Sequence, residues 1–187
     1  YQGNELWDFS LVDPDNRRAV DYARRRSLLQ ELMAATGKGS EQLGWIQELV
    51  EGWPDGRIKL FVIQRTLHFR RRYPDLFAGG DYVPLETSGA AAQHLCGYLR
   101  QNQAGEQLLV VVPRLVATLT KQIEHAPVGE EVWGDTQIVL PAAGGERTYT
   151  NLFTEARSSS VERGGRATLA AAELFADFPL ALLTTAS

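Results

Sequence analysis

Carboxylates, amides and guanidinium groups crowd the start of the chain. Within YQGNELWDFSLVDPDNRRAVDY, Glu5, Asp8, Asp13, Asp15 and Asp21 stand among Asn16, Arg17 and Arg18, with Trp7 and Phe9 between them. Sugar recognition needs this mixture. Planar carboxylates, amides and guanidinium groups each bond adjacent hydroxyls, and an aromatic face covers the apolar side of a pyranose ring. Two of the carboxylates could also be a glycosidase pair, but spacing along a loop does not say which of them face one another. The alternative is a capped, salt-bridged turn, and composition alone weighs the two equally. By either reading the segment is loop. Asp13-Pro14-Asp15-Asn16 is turn chemistry, since Pro fixes φ and Asp or Asn bonds its own backbone two residues on. Loops that gather charged and aromatic side chains are more often functional than structural.

Other chemistries find little support. His68, His94 and His125 have no metal-ligand spacing with one another or with Cys96, so they read as structural or surface residues, and no metal or cofactor is expected. G-x-S-x-G, P-loop and G-x-G-x-x-G patterns are absent. The triplets Arg24 to Arg26 and Arg70 to Arg72 read as solvated helix faces with acidic partners, because the formal charge is −4. The same balance argues against a nucleic-acid partner. One cysteine excludes an internal disulfide and suits a reducing, cytoplasmic compartment. Apolar runs such as LLVVVP are too short to span a bilayer, so no membrane partner is expected. The absence of an initiator Met marks a processed chain or a piece of a longer one.

The elements that must position the loop follow it. Leu28, Leu29, Leu32 and Met33 fall at helical spacing, which predicts a helix over Asp21 to Thr36 with Gly37 as its stop. A second helix, capped by Ser40 and ended by Pro54, would bury a stripe of Leu43, Ile46, Val50 and Trp53. A third, Asp55 to Tyr73, is apolar on most sides in its first half and wants neighbours on several sides. Beyond the Gly pair at 79–80 the pattern changes to short β-branched and aromatic runs between Gly, Pro and Asn clusters. Tyr82 to Glu86, His94 to Arg100, Gln107 to Pro113, Thr136 to Leu140, Thr148 to Phe153, Arg166 to Ala172 and Leu180 to Leu183 are the expected strands. They lack βαβ alternation, which predicts an antiparallel sandwich or barrel. AAQHLCGYLRQ and TLAAAELFADFP are ambiguous between helix and strand, and EARSSSVERGGR reads as a polar hairpin tip or a mobile loop.

Three blocks carry a resemblance. D-P-D-N-R-R (residues 13–18), D-G-R-I-K-L (55–60) and R-x-x-P-x-L-F-x-x-G-x-Y (71–82) follow Y-Q-G-x-E in an order and spacing that resemble the C-terminal portion of the malto-oligosyltrehalose synthase family, within the α-amylase superfamily. The likeness is strong to about Glu86 and continues through LLVVVPRL, WGDTQIVLP and ELFADFPLALL; Ala19 departs, standing where the family tends to have Pro.

The resemblance implies an α+β chain. Residues 1–78 would be the last loop and helices of a (β/α)8 barrel, and 79–187 a C-terminal all-β domain of antiparallel sandwich type. Active sites of such barrels lie at the C-terminal face, where this loop would sit. The implied reaction is an intramolecular transglucosylation that converts the reducing-end α-1,4 linkage of a malto-oligosaccharide to α,α-1,1. Its three carboxylates come from earlier barrel strands, so no catalytic residue is expected in this chain and the chain itself would be inactive. Asp13, Asp15, Asn16, Arg17 and Arg18 are the expected substrate-binding or loop-fixing groups. A severed barrel face at Ile58, Phe61 and Val62 would favour either self-association or a compact packing of the three helices on one another or on the β domain. The competing reading is a stand-alone glucan-binding or protein-interaction module with Trp133, Tyr149 and Phe153 as a sugar platform. A start inside Y-Q-G-x-E argues for the piece of a barrel.

Overall fold

The computed structural model describes residues 2–35, 40–121, 125–141 and 146–185, without the side chain of Ser40. Tyr1, Thr36, Gly37 and the Ser40 cap therefore lie outside the described residues. Two compact units divide the chain, Tyr1–His68 and Phe69–Ser187.

The first unit opens with the polar loop, in which only Asp15–Arg17 forms a short 3-10 turn. Helix α1, Tyr22–Ala34, starts where the Asp21 carboxylate accepts the Arg24 amide at 2.8 Å, the N-cap geometry expected of Asp. Helix α2, Ser40–Glu51, keeps part of the expected stripe, with Ile46 buried and Val50 half-buried, but turns inward by about a residue. Gln42, Ile46 and Leu49 are buried, whereas Leu43 and Trp53 are exposed. The i, i+4, i+7 row wins because Trp45 beside it meets Phe61 edge-on, with centroids 5.0 Å apart. Helix α3, Arg57–Arg72, begins after Gly56, whose φ of +86° places it in the left-handed region. Ile58 and Phe61 are 8% and 2% exposed, and Val62 is half-buried. The expected open face is therefore closed within one chain, which removes the premise for self-association. Burying Ile and Phe side chains is worth roughly 1.5–3 kcal/mol each, so a fold that covers them is favoured over one that waits for a partner.

In the second unit, Phe69 at the end of α3 meets Tyr73 and Phe77, with centroids 4.7 and 6.1 Å apart. Arg70 lies over the Phe77 ring and Arg72 over Tyr73, so both ends of the expected solvated triplet cover aromatic faces. Helix α4, Pro74–Ala78, starts with Pro at its first position and carries the buried Leu76. Its C-terminal carbonyls are satisfied by Arg100, which donates to Leu76 O, Phe77 O and Gly80 O at 2.8–3.0 Å. Gly80 is obligatory: a Cβ there would lie 2.3 Å from Leu76 O.

Among the described residues ten strands follow: β1 Asp81–Pro84, β2 Glu86–Ser88, β3 Leu95–Gln101, β4 Gln107–Pro113, β5 Gln137–Val139, β6 Thr148–Asn151, β7 Arg157–Ser159, β8 Val161–Arg163, β9 Arg166–Ala170 and β10 Ala181–Thr184. They form two antiparallel sheets, β1-β3-β4-β10-β6-β7 and β2-β5-β9-β8. The chain changes sheet at Leu85 and at Ser160. Leu95, Leu99, Leu109, Val111 and Leu183 from one sheet share a core with Ile138 and Leu169 from the other. Strands β7 and β8 replace the expected tip. They escaped notice because both are short edge strands with exposed polar residues, while the β8–β9 turn at Gly164-Gly165 has the positive φ angles of a tight hairpin. Short helices α5 Val116–Thr120, α6 Glu130–Trp133 and α7 Ala171–Leu174 add to the β-rich part. The last resolves the ambiguous TLAAAELF as strand to Ala170 and then one helical turn.

Tyr149 ties β6 to β4: its hydroxyl donates to Gln107 Oε1 at 2.8 Å. Burial pushes its phenol from 10.0 up to about 12. Because the folded value is the higher one, stability is unaffected below about pH 10. It falls as pH rises from 10 towards 12, where the unfolded chain loses the proton and the folded one keeps it, by about 1.4 kcal/mol per pH unit. Tyr149→Phe is expected to abolish this alkaline loss at a cost of about 1 kcal/mol near pH 7. Urea denaturation of both proteins from pH 8 to 11.5 measures it, and parallel pH curves would refute it.

Candidate functional site

Ionic and backbone bonds fix the opening loop. Asp8 Oδ1 accepts the Ser10 hydroxyl at 2.5 Å and the Ser10 amide at 2.9 Å, bonds that hold its carboxyl below the usual carboxylate range. Asp15 Oδ2 accepts the Leu11 amide at 2.9 Å, and its Oδ1 stands 3.5 Å from Arg18 Nε. Arg18 also donates to Asp15 O at 3.2 Å and to the Ser10 hydroxyl, closing a ring of contacts from Asp8 to Arg18. Arg17 grips Asp13 through two nitrogens, with Nη2 3.0 Å from Oδ2.

This loop forms one side of an open cleft of about 510 Å³ lined by Gln2, Asn4, Asp8 and Asn16. Of the five expected site residues only Asn16 lines it. Asp13, Asp15, Arg17 and Arg18 make the contacts that set the loop's shape. Gln2, Asn4 and Asp8, which also line the cleft, lie outside the expected five. The signal for the first two was their place in Y-Q-G-x-E; for Asp8 it was membership of the carboxylate cluster. Among the described residues that line the cleft, Asp8 is the one carboxylate.

The Gln2–Glu5 side of the cleft is tied to α1. Arg25 donates to Glu5 Oε2 and to Asp21 O, both at 3.1 Å, and to Gly3 O. Gly3 has φ +81°, and a Cβ there would meet Val20 Cγ2 at 2.8 Å. The Tyr22 hydroxyl donates to Gln2 Oε1 at 3.0 Å.

The D-G-R-I-K-L block supports the same loop from below. Asp55 accepts the Arg57 amide at 2.8 Å at the start of α3, and Arg57 bridges Asp55 and Glu48 at 2.7 and 3.0 Å. Lys59 donates to Leu6 O at 3.1 Å and sits over the Trp7 ring at 5.4 Å. Trp7 is held in turn by Trp53, whose carbonyl accepts its indole N–H at 2.6 Å. Trp7 is thus fixed as a strut, while Phe9 stands 86% exposed.

The remaining candidates resolve simply. Trp133, Tyr149 and Phe153 are 1%, 2% and 0% exposed, so they are core and cannot form a sugar platform. His94 is buried with Nδ1 3.3 Å from Arg114 O, and His68 contacts Gln64. No metal-binding group of His, Cys, Asp and Glu occurs among the described residues. No described helix is long and apolar enough to cross a membrane.

No protein-family model matches the chain. It is 33% identical over 183 residues, 98% of its length, to proteins assigned as maltooligosyl trehalose synthase in two strains of Mycobacterium tuberculosis. A mutant of maltooligosyltrehalose synthase from Arthrobacter ramosus superposes with a TM-score of 0.67 at 33% identity, again over 98% of the chain. The chain spans 18% of the length of the Mycobacterium proteins and 19% of the Arthrobacter chain. Over nearly its whole length this chain is a relative of the maltooligosyl trehalose synthases.

Proposed function

We propose that the chain is the C-terminal portion of an intramolecular transglucosylase that forms maltooligosyl trehalose from malto-oligosaccharides. Residues 1–78 supply the last loop and helices of its catalytic barrel, and 79–187 its C-terminal domain. The observation that carries the reading is 33% identity sustained over 98% of the chain. In this reading the opening loop borders the substrate cleft, with Asn16, Asp8, Gln2 and Asn4 facing sugar hydroxyls. Asp13, Asp15, Arg17 and Arg18 hold that surface in shape.

Double displacement needs a nucleophile and an acid/base about 5 Å apart. Among the described residues the cleft offers one carboxylate, Asp8, and Asp13, Asp15, Asp21 and Glu5 are engaged by Arg17, Arg18, the Arg24 amide and Arg25. The purified chain is therefore expected to leave maltopentaose unchanged. Reducing ends measured over time against a no-protein control test this, and their loss would overturn the reading that the catalytic carboxylates lie elsewhere in the parent.

A further inference from the structure

Arg17, Arg18 and Arg25 belong to the same unit as the opening cleft but none of them lines it, and each guanidinium has an acidic partner. Arg17 is paired with Asp13; Arg18 with Asp15 and the Ser10 hydroxyl; Arg25 with Glu5, Gly3 O and Asp21 O. What faces the cleft is different in kind. Gln2, Asn4 and Asn16 present neutral carboxamides, which both donate and accept, and Asp8 presents a carboxylate. Ser10 occupies Asp8 Oδ1 twice over, and Oδ2 accepts no hydrogen bond among the described residues. Arg18 and Arg25 act on Asp8 only through space, and each carries its own acidic partner.

We propose that Asp8 is the specificity-determining residue of this cleft, admitting neutral polyhydroxylated ligands and rejecting the same sugar once it carries a phosphate. The proposal rests on reading the cleft as a sugar surface. A hydroxyl donates to Oδ2 in a charge-assisted bond and finds carboxamides for its neighbours. A phosphate dianion meets like charge there, and no guanidinium is among the described residues that line the cleft. Selectivity of this kind comes from a repulsive element, so it does not require tight binding of the favoured ligand.

Glucose and glucose 6-phosphate share a ring and differ by the phosphate. Titrating each into the 187-residue chain at low salt, and following the side-chain amide resonances of Gln2, Asn4 and Asn16, reads both affinities at the cleft. Glucose is expected to bind about tenfold more tightly than its phosphate, the factor that one carboxylate a few ångströms from a dianion supplies in water. In Asp8→Asn, which keeps an acceptor for Ser10, the ratio should fall to about threefold or less. Raising the salt on the unaltered chain should also narrow it, and this arm needs no variant to fold. Equal affinities in the unaltered chain, a ratio indifferent to salt, or one unchanged by Asp8→Asn would overturn the role of Asp8 while leaving the sugar reading in place. If neither ligand moves the three amides, the sugar reading fails and this proposal fails with it.

Discussion

Replacing Trp133 with Ala is expected to lower the unfolding free energy by about 3–5 kcal/mol, the usual cost of deleting a large buried aromatic. The residue lies at the end of α6 and is 1% exposed. Its ring packs on Phe175 with centroids 5.0 Å apart, and its indole N–H donates to Pro127 O at 2.8 Å. Truncation removes that packing, opens a cavity and leaves a buried carbonyl without its donor, and the three losses share one sign. Tyr82→Ala is the control, since Tyr82 is 61% exposed on the edge strand β1 and should lose about 1 kcal/mol or less. Urea denaturation followed by circular dichroism gives both values. A loss below about 1 kcal/mol for Trp133→Ala, accompanied by weaker glucan binding, would restore the sugar-platform reading that burial excludes.

The largest effect on activity is expected at Asp15 in the whole enzyme. Asp15→Ala should lower kcat/KM about 10- to 100-fold, or roughly 1.4–2.7 kcal/mol of transition-state binding. Its carboxylate accepts the Leu11 amide and faces Arg18, so its loss loosens the turn that presents Asn16. Small displacements of a positioning group are costly because catalysis depends on geometry set before the reaction. Asp15→Asn keeps an oxygen for the Leu11 amide and should recover part of the loss. Arg17→Ala should do less harm than Asp15→Ala, since Arg17 pairs only with the exposed Asp13. Arg71→Ala, on an exposed turn of α3, should stay within about twofold. Steady-state kinetics at matched thermal stability decide the order; equal activity in Asp15→Ala and Arg71→Ala would remove Asp15 from the site.

Local signals explain what could be read early. The β4 boundaries, Gln107–Pro113, match the expected strand because a run of β-branched and aliphatic residues ends at a Pro that cannot donate to a ladder. Helix α1 starts one residue after its expected first residue, Asp21, which caps it, and α3 runs within one or two residues of its expected bounds. The inward face of α2 differs in part from the expected one because Leu43 and Leu49 each continue an apolar row through Ile46. Only the neighbouring Phe61 selects between the two rows. Strands β7 and β8 were invisible for a related reason. An edge strand forms when a partner is at hand, here β6 or β9, and its own sequence needs no apolar alternation.

The sequence by itself determined the polar opening loop, the helical part followed by antiparallel strands, and the family likeness. Each rests on residues close together in the chain, where turn chemistry, capping and periodicity act. Tertiary structure decided which members of the carboxylate and arginine cluster face the cleft and which merely shape it. That division depends on long-range contacts: Arg25 reaching back to Glu5 and Gly3, Arg18 to Ser10, and Lys59 to Leu6. Charged side chains of one type are interchangeable in a sequence pattern. They acquire different roles when folding brings one an acidic partner and leaves another, such as Asp8, with an oxygen turned to solvent.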